Sequence, residues 1–319
     1  MTPKLVADIG GTNARFALIF DDLWQPTQEH VLSCIDYTGP VEAIRHYLDL
    51  LGAQGSVVSP REAALAIANP ITGDWVKMTN HTWEFSIEQT RLSLGLERLL
   101  LLNDFTALAL SLPRIAATEL RQVGNGQPAN ESPLALIGPG TGLGMSGLIP
   151  CPGGWVPLQG EGGHASFSPA DDYEVDILHI VRRQYSHVST ERLISGKGLY
   201  NLYAAIAELD GYGIERIAPA EITSRALDHG DPLSVKVMNT FCAMLGTAAA
   251  NLALNLGARG GVYVGGGIVP KLGVFFDHSP FRRRFEERGR FSEYLAGIPS
   301  YVITAKTPAL MGAAEALRK

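Results

Sequence analysis

Cysteine is scarce. Cys34, Cys151 and Cys242 are the only three in 319 residues, and their spacing forms neither a disulfide framework nor a zinc ligand set. A chain of this kind suits a reducing cytoplasm. Gly-Lys-Ser/Thr is absent, which excludes a P-loop, and so is Gly-x-Ser-x-Gly, which argues against a serine hydrolase. No low-complexity tract interrupts the chain. The net charge of −6 leaves no footprint for nucleic acid or an anionic membrane. No uninterrupted apolar run reaches membrane length. The best candidate, within Val235–Leu256, carries Lys236, Asn239, Thr240, Asn251 and Asn255, and is expected to be a core helix. The opening Met-Thr-Pro-Lys-Leu-Val-Ala-Asp has too short an apolar run for a signal peptide.

What is present is an apolar share of 46%, ample for a packed core, and 35 glycines gathered in clusters. The length fits two domains or one large α/β unit. The centre of the first half is Leu99–Ala107. Four leucines read as a strand buried on both faces. Asn103 and Asp104 follow at once, and Thr106 opens a helical run. An acid at the carboxyl end of a buried strand is where open α/β sheets place their chemistry. Asn and Asp are also good helix N-caps, and the pattern alone leaves both readings open.

The glycine clusters sit in hairpins. Leu5–Ala7, then Asp8-Ile-Gly-Gly-Thr-Asn13, then Ala14–Phe20 reads as strand, turn, strand. Leu134–Ile137, the turn Gly138–Gly144 and Met145–Ile149 repeat the layout. A shift of 129 residues sets Gly11-Thr12 on Gly140-Thr141, which suggests two related domains facing a shared ligand. Such glycines let backbone N–H groups converge on a phosphate. Tight hairpins favour glycine as well. A third cluster, Gly265-Gly-Gly-Ile, follows the apolar strand Gly261–Val264. It suits either a flat ring lying on backbone or close packing of helix on strand.

Between these landmarks the patterns predict helices at Pro40–Leu51, Ser86–Leu94, Glu174–Tyr185, Leu199–Glu208, Pro219–Leu227, Leu233–Leu256, Phe281–Leu295 and Ala309–Leu317, with strands at Ala63–Ala68 and Tyr301–Thr304. Further hairpins are expected at Tyr37–Gly39 and around Gly73-Asp74. Residues 113–133 read as a domain boundary, and Gly153–Pro157 and Gln159–His164 as loop. Glu161 and His164 flank two glycines, and a second polar run holds Glu191. Without further His, Cys or Asp at short spacing they fit a hydroxyl-rich ligand better than a metal.

Seven segments together are similar to bacterial glucokinase of the proteobacterial, ATP-dependent type: Asp8–Arg15, Asn69–Asp74, Met78–Trp83, Asn103–Phe105, Gly140–Gly144, Gly160–His164 and Gly265–Pro270. They run in order from Leu5 to the C-terminal helix. The resemblance implies an α/β, two-domain actin-like ATPase (ribonuclease H-like) fold with an interdomain cleft. Residues 1–112 with 300–319 would form the smaller domain and 113–299 the larger. It implies phosphorylation of D-glucose at the C6 hydroxyl by ATP with Mg²⁺, and Asp104 as catalytic base. Asn103, Asp104, Glu161, His164 and Glu191 would hold glucose. Asp8, Ile9, Gly10, Gly11, Thr12, Asn13, Thr141 and Gly142 would line the phosphates, with Asp8 facing Mg²⁺ through water and Gly265 and Gly266 near the adenosine. It also implies a cytoplasmic homodimer without nucleic-acid or membrane partners. The Cys-rich zinc motif of the related ROK sugar kinases is missing. Two rivals stand beside this reading. One is another hexose kinase, such as a fructokinase or mannokinase. The other is a sensor that binds sugar and nucleotide without turnover, against which the presence of Asp104 argues.

Overall fold

A computed structural model describes residues 3–20 and 25–318. The chain divides into two compact units, Met1–Ala116 with Ala305–Lys319, and Ala117–Thr304. The expected domain limits at residues 1 and 319 lie outside the described residues.

In the first unit, β1 (Lys4–Ile9), β2 (Asn13–Ile19) and β3 (Thr27–Ser33) form an antiparallel meander. Helix α1 (Pro40–Ala53) leads to β4 (Glu62–Ile67), which runs parallel to β1, and β7 (Arg98–Asn103) runs parallel to β4. The order is β3-β2-β1-β4-β7. The small hairpin of β5 (Trp75–Lys77) and β6 (Glu84–Ser86) and helix α2 (Ile87–Ser93) lie between β4 and β7. Helix α3 (Asp104–Ser111) follows β7 directly. Strand alternation explains the layering. Leu5, Ala7 and Ile9 join one cluster with Ile44, Tyr47 and Leu51 of α1. Val6, Ala17, Ile19 and Ala64 join another with Leu310, Ala313, Ala314 and Leu317 at the C-terminal helix Pro308–Ala316. With both faces covered, the strands read as continuous apolar runs.

In the second unit, β9 (Leu134–Pro139), β10 (Leu143–Cys151) and β11 (Gly154–Gly160) repeat the meander. Helices α4 (Asp172–Val181), α5 (Gly196–Leu209), α6 (Pro219–Asp228) and α7 (Pro232–Leu256) precede β12 (Gly261–Val264), parallel to β9. Next comes β13 (Ser300–Ile303), parallel to β12. The order β11-β10-β9-β12-β13 duplicates that of the first unit strand for strand and sense for sense. It ends in an added antiparallel strand, β8 (Leu120–Val123). Helix α7 is long and apolar enough to cross a membrane by length and composition, yet most of it is buried inside this unit. Val237, Phe241 and Leu245 pack in one cluster with Ala135, Ile137 and Val262. Asp231 caps its start, and Gly257, at φ 61°, ends it in the left-handed conformation.

Several expectations are corrected. Residues 300–304 belong to the second unit, because β13 completes its sheet between β12 and β8. The first unit reaches Ala116, and the expected boundary segment contains β8. Residues 154–160 form an edge strand paired with β10, not loop. No hairpin forms at Tyr37–Gly39, where the chain passes from a 3₁₀ turn into α1. The hairpin near Gly73 instead closes through residues 78–83, since Trp75 pairs with Ser86. The helix over Phe281–Leu295 breaks after Glu286, and Gly289 at φ 55° starts a new turn. The leucines of β7 are mostly half-buried, because β7 is the edge of its sheet.

Candidate active site

In the first unit, parallel register sets Ile9 beside Ile67 and Ile67 beside Asn103. The segments that follow these three strands therefore leave one end of the sheet, the carboxyl end where open α/β folds place ligands. The first is the turn Gly10–Thr12, closed by Gly10 N donating to Asn13 O at 3.0 Å. Gly10 thus supplies room in this turn, while its own N–H is used within it. Cys34 N donates to Thr12 O at 2.8 Å and ties the turn to the chain leaving β3. Asp8, near the end of β1, is half-buried. Burial pushes its carboxyl above the usual range, and nearby Arg15 offsets this only in part.

At β7 the two candidate caps separate. Asn103 is the N-cap of α3, its Oδ1 accepting from Phe105 N at 2.9 Å and Thr106 N at 3.2 Å. Its amide nitrogen remains a donor type suited to a hydroxyl. Asp104 is the first helical residue, and its Oδ1 accepts from Phe105 N at 2.9 Å. Half-buried at a helix start, it sits where the backbone dipole favours negative charge. The C-terminal helix holds α3 closely, since a Cβ at Gly312 would collide with Ala107 O.

In the second unit the turn after β9 is one residue tighter. Gly140 N donates to Gly142 O at 2.8 Å, and Leu143 already pairs with Pro139. The echo of Gly11-Thr12 in Gly140-Thr141 thus holds in sequence, while the two loops differ in length. Three segments press on this turn. Glu191 Oε2 accepts from Leu143 N at 2.8 Å, and a Cβ on Gly142 would collide with that same oxygen. Gly196 N, at the start of α5, donates to Gly140 O at 2.7 Å. Gly266, at φ 78°, lies so close to Pro139 O that a Cβ would overlap it, and Gly265 N donates to Ile137 O at 2.9 Å. Glu161 and His164 occupy the 3₁₀ turn after β11, exposed, with Glu161 Oε2 3.9 Å from His164 Nε2. Gly163 between them packs on Leu143 O. The carboxylate of Glu191 and the Glu161–His164 turn therefore converge on the first residue of β10. A bridge between Ser166 and Ser189 and the bond from Thr190 N to Ala165 O (2.9 Å) hold their two segments side by side.

The sequence reading gave Asn80, Asn69 and Ser195 no role. Asn80 lies against Gly11, where a Cβ would come within 2.8 Å of its carbonyl oxygen. Asn69 Oδ1 accepts from Thr79 N and Thr79 Oγ1, fixing the segment that carries Asn80. Buried Ser195 caps α5 through Gly198 N and donates to Glu191 O at 2.8 Å. The motif Asn69–Asp74 was visible in the sequence, yet its Asp74 accepts from Ser86 Oγ and Glu88 N and serves α2. Among the described residues, no group of three or more His, Cys, Asp or Glu is arranged to hold a metal ion.

The Glucokinase family model matches residues 5–319. A glucokinase of Aromatoleum aromaticum is 54% identical over 315 residues, covering 99% of this chain and 94% of that protein. One from Neisseria gonorrhoeae is 52% identical over 320 residues, again covering 99% and 94%. Among solved structures, glucokinase from an Antarctic psychrotroph matches with a TM-score of 0.90 at 35% identity, covering 100% of this chain and 99% of that one. A ROK family glucokinase from Streptomyces griseus, in complex with glucose and AMPPNP, matches with a TM-score of 0.64 at 20% identity over 98% of each chain, a likeness of fold. The fold is the two-domain actin-like fold of sugar kinases.

Proposed function

Since the chain belongs to the glucokinase family and is a glucose-phosphorylating kinase, we propose that it moves the γ-phosphoryl group of ATP to the C6 hydroxyl of D-glucose with Asp104 as base. The observation that carries this assignment is the placement of Asp104, an acid at the start of α3 and the end of β7, with Asn103 taking over the capping role. The Asp104 carboxylate accepts the C6 hydroxyl proton as that oxygen bonds to the γ-phosphorus. The bond from phosphorus to the bridging oxygen breaks, and ADP leaves with the electron pair. A positioned base of this kind contributes about 10²–10⁴-fold.

Asn103, Glu161, His164 and Glu191 are assigned to the remaining sugar hydroxyls, which they match as donors and acceptors. Groups built for hydroxyls discriminate against sugars that lack or invert them, because their own polar atoms go unpaired. The turns Gly10–Thr12 and Gly140–Gly142, with Ile9 and Asn13 at the edges of the first, are assigned to the phosphates. Gly265 and Gly266 are assigned to the adenosine. Asp8 suits Mg²⁺. Its carboxylate is half-buried with only Arg15 as a partial counter-charge, and a hard cation that keeps waters and phosphate oxygens needs one or two carboxylates, not a protein cage. Bound there, Mg²⁺ supplies positive charge to the phosphates in transfer. We place the enzyme in the cytoplasm as a homodimer, in keeping with three free cysteines and the family resemblance.

A coupled assay with ATP, Mg²⁺ and a hexose panel, run beside Asp104→Ala, tests the reading. Turnover on glucose that falls by about 10³-fold in the variant, with glucose binding retained, is the expected result. Preference for fructose or mannose would overturn the substrate assignment. An Asp104→Ala enzyme with near-normal kcat would overturn the base.

A further inference from the structure

Glu191 carries more than a sugar contact. Its Oε2 accepts from Leu143 N at 2.8 Å, at the exit of the Gly140–Gly142 turn. Gly142 has no Cβ, and the carboxylate fills the space that one would occupy. Five residues on, Gly196 N donates to Gly140 O at 2.7 Å, at the entry of the same turn. Ser195 Oγ donates to Glu191 O at 2.8 Å and accepts from Gly198 N at 3.0 Å, which locks this segment to the start of α5. The stretch Glu191–Gly196 therefore brackets the turn at both ends.

Resting on the assignment of that turn to the donor phosphates and of Glu191 to the sugar, we infer that Glu191 is a positioning residue for ATP. Its carboxylate holds the phosphate turn in its binding shape, so that one side chain serves acceptor and donor alike. One oxygen is committed to Leu143 N, leaving Oε1 for a hydroxyl. A group ordered by one ligand costs the second ligand less ordering, which makes the two bindings favour each other.

The test is binding of Mg²⁺–AMPPNP by calorimetry with no hexose present. Glu191→Ala removes the acceptor at Leu143 N, and its nucleotide Kd is expected to rise about tenfold, the effect of losing a charge-assisted hydrogen bond. Glu191→Gln keeps an acceptor in place, and its Kd is expected to stay within about threefold of wild type. A residue that only touched sugar would leave hexose-free nucleotide binding unchanged in both, and that outcome overturns the inference. Tighter binding in Glu191→Ala overturns it too, since the carboxylate would then be opposing the phosphates. Gly142→Ala provides an independent arm. Its Cβ collides with Glu191 Oε2, so it should weaken nucleotide binding in the wild-type background and add little in Glu191→Ala; equal effects in both backgrounds would refute the bracket. Thr141→Val separates the two levels. If it and Gly142→Ala leave nucleotide binding untouched, the turn is not the phosphate site and the underlying assignment fails.

Discussion

Gly11 and Gly10 are neighbours with opposite surroundings, and alanine at each separates packing from ligand approach. Neither glycine has a left-handed backbone, so the substitution adds no torsional strain. At Gly11 the new Cβ would stand 2.8 Å from Asn80 O and 2.9 Å from Asn80 Cβ. Ordinary contact begins at 3.4 Å, so Asn80 must retreat by about 0.6 Å. Its segment is poorly placed to do so. Thr79 is bonded to Asn69 through both N and Oγ1, at 3.1 and 3.2 Å. Met78 N donates to Trp83 O at 3.0 Å, and buried Trp83 donates its Nε1–H to Tyr37 O at 2.9 Å. Overpacking of this kind costs about 1–3 kcal/mol. At roughly 4 °C per kcal/mol for a domain of this size, Gly11→Ala should lower Tm by about 4–12 °C. At Gly10 the added Cβ meets only Asn13 O, at 3.6 Å, an ordinary contact. Gly10→Ala should melt within about 2 °C of wild type, and on the proposed assignment of this turn to the phosphates its effect should appear in the KM for ATP. Calorimetric melts and ATP titrations of the two variants check this. A Gly11→Ala protein that melts with wild type would show that the Asn80 segment yields freely, and the steric reasoning would be wrong.

Two further outcomes follow from ionisation. Burial raises the folded-state pKa of Asp8, so the folded protein holds this proton more tightly than the unfolded chain, and stability is lost as pH climbs through the raised value. In metal-free protein, Asp8→Asn should therefore gain Tm over wild type, by a margin that grows from pH 4 to pH 8; a constant or reversed margin contradicts the raised pKa. Cys151 is exposed, whereas burial raises the Cys34 thiol and pushes Cys242 up to about 12. Alkylation of native protein at pH 8, followed by mass spectrometry, should label Cys151 alone, and denaturant should expose the other two; early labelling of Cys242 would contradict its burial.

The first strands were legible because apolar runs and glycine turns carry their own periodicity. Leu5–Ala7 and Leu134–Ile137 mark the same place in the two duplicated sheets. β11 was not legible. Its Gly154, Pro157 and Gly160 look like loop, and an edge strand tolerates such residues because one side needs no ladder partner. Three apolar residues, Tyr301–Ile303, announce a strand but not the sheet that receives it. The candidate site divides in the same manner. Asn103 and Asp104 stood out together, yet only the backbone shows which of them caps α3. Glu191 was visible as a polar residue, while its bond to Leu143 N spans 48 positions and leaves no local trace.

The first unit is built from both ends of the chain, and this orders its assembly in time. Val6, Ala17, Ile19 and Ala64 form an apolar face that Leu310, Ala313, Ala314 and Leu317 complete. During synthesis that face exists before its cover. At about 5–20 residues per second, the roughly 240 residues between Ala64 and Leu310 take on the order of 10–50 s to appear. Over that interval the second unit, continuous in sequence from Ala117 to Thr304, can emerge whole and fold. The half that carries Asp104 is sealed only once Leu310, Ala313, Ala314 and Leu317 have followed the whole of the second unit. A chain stopped short of Pro308 would thus release a formed second unit joined to a first unit with one apolar face bare, a form that chaperones and proteases recognise.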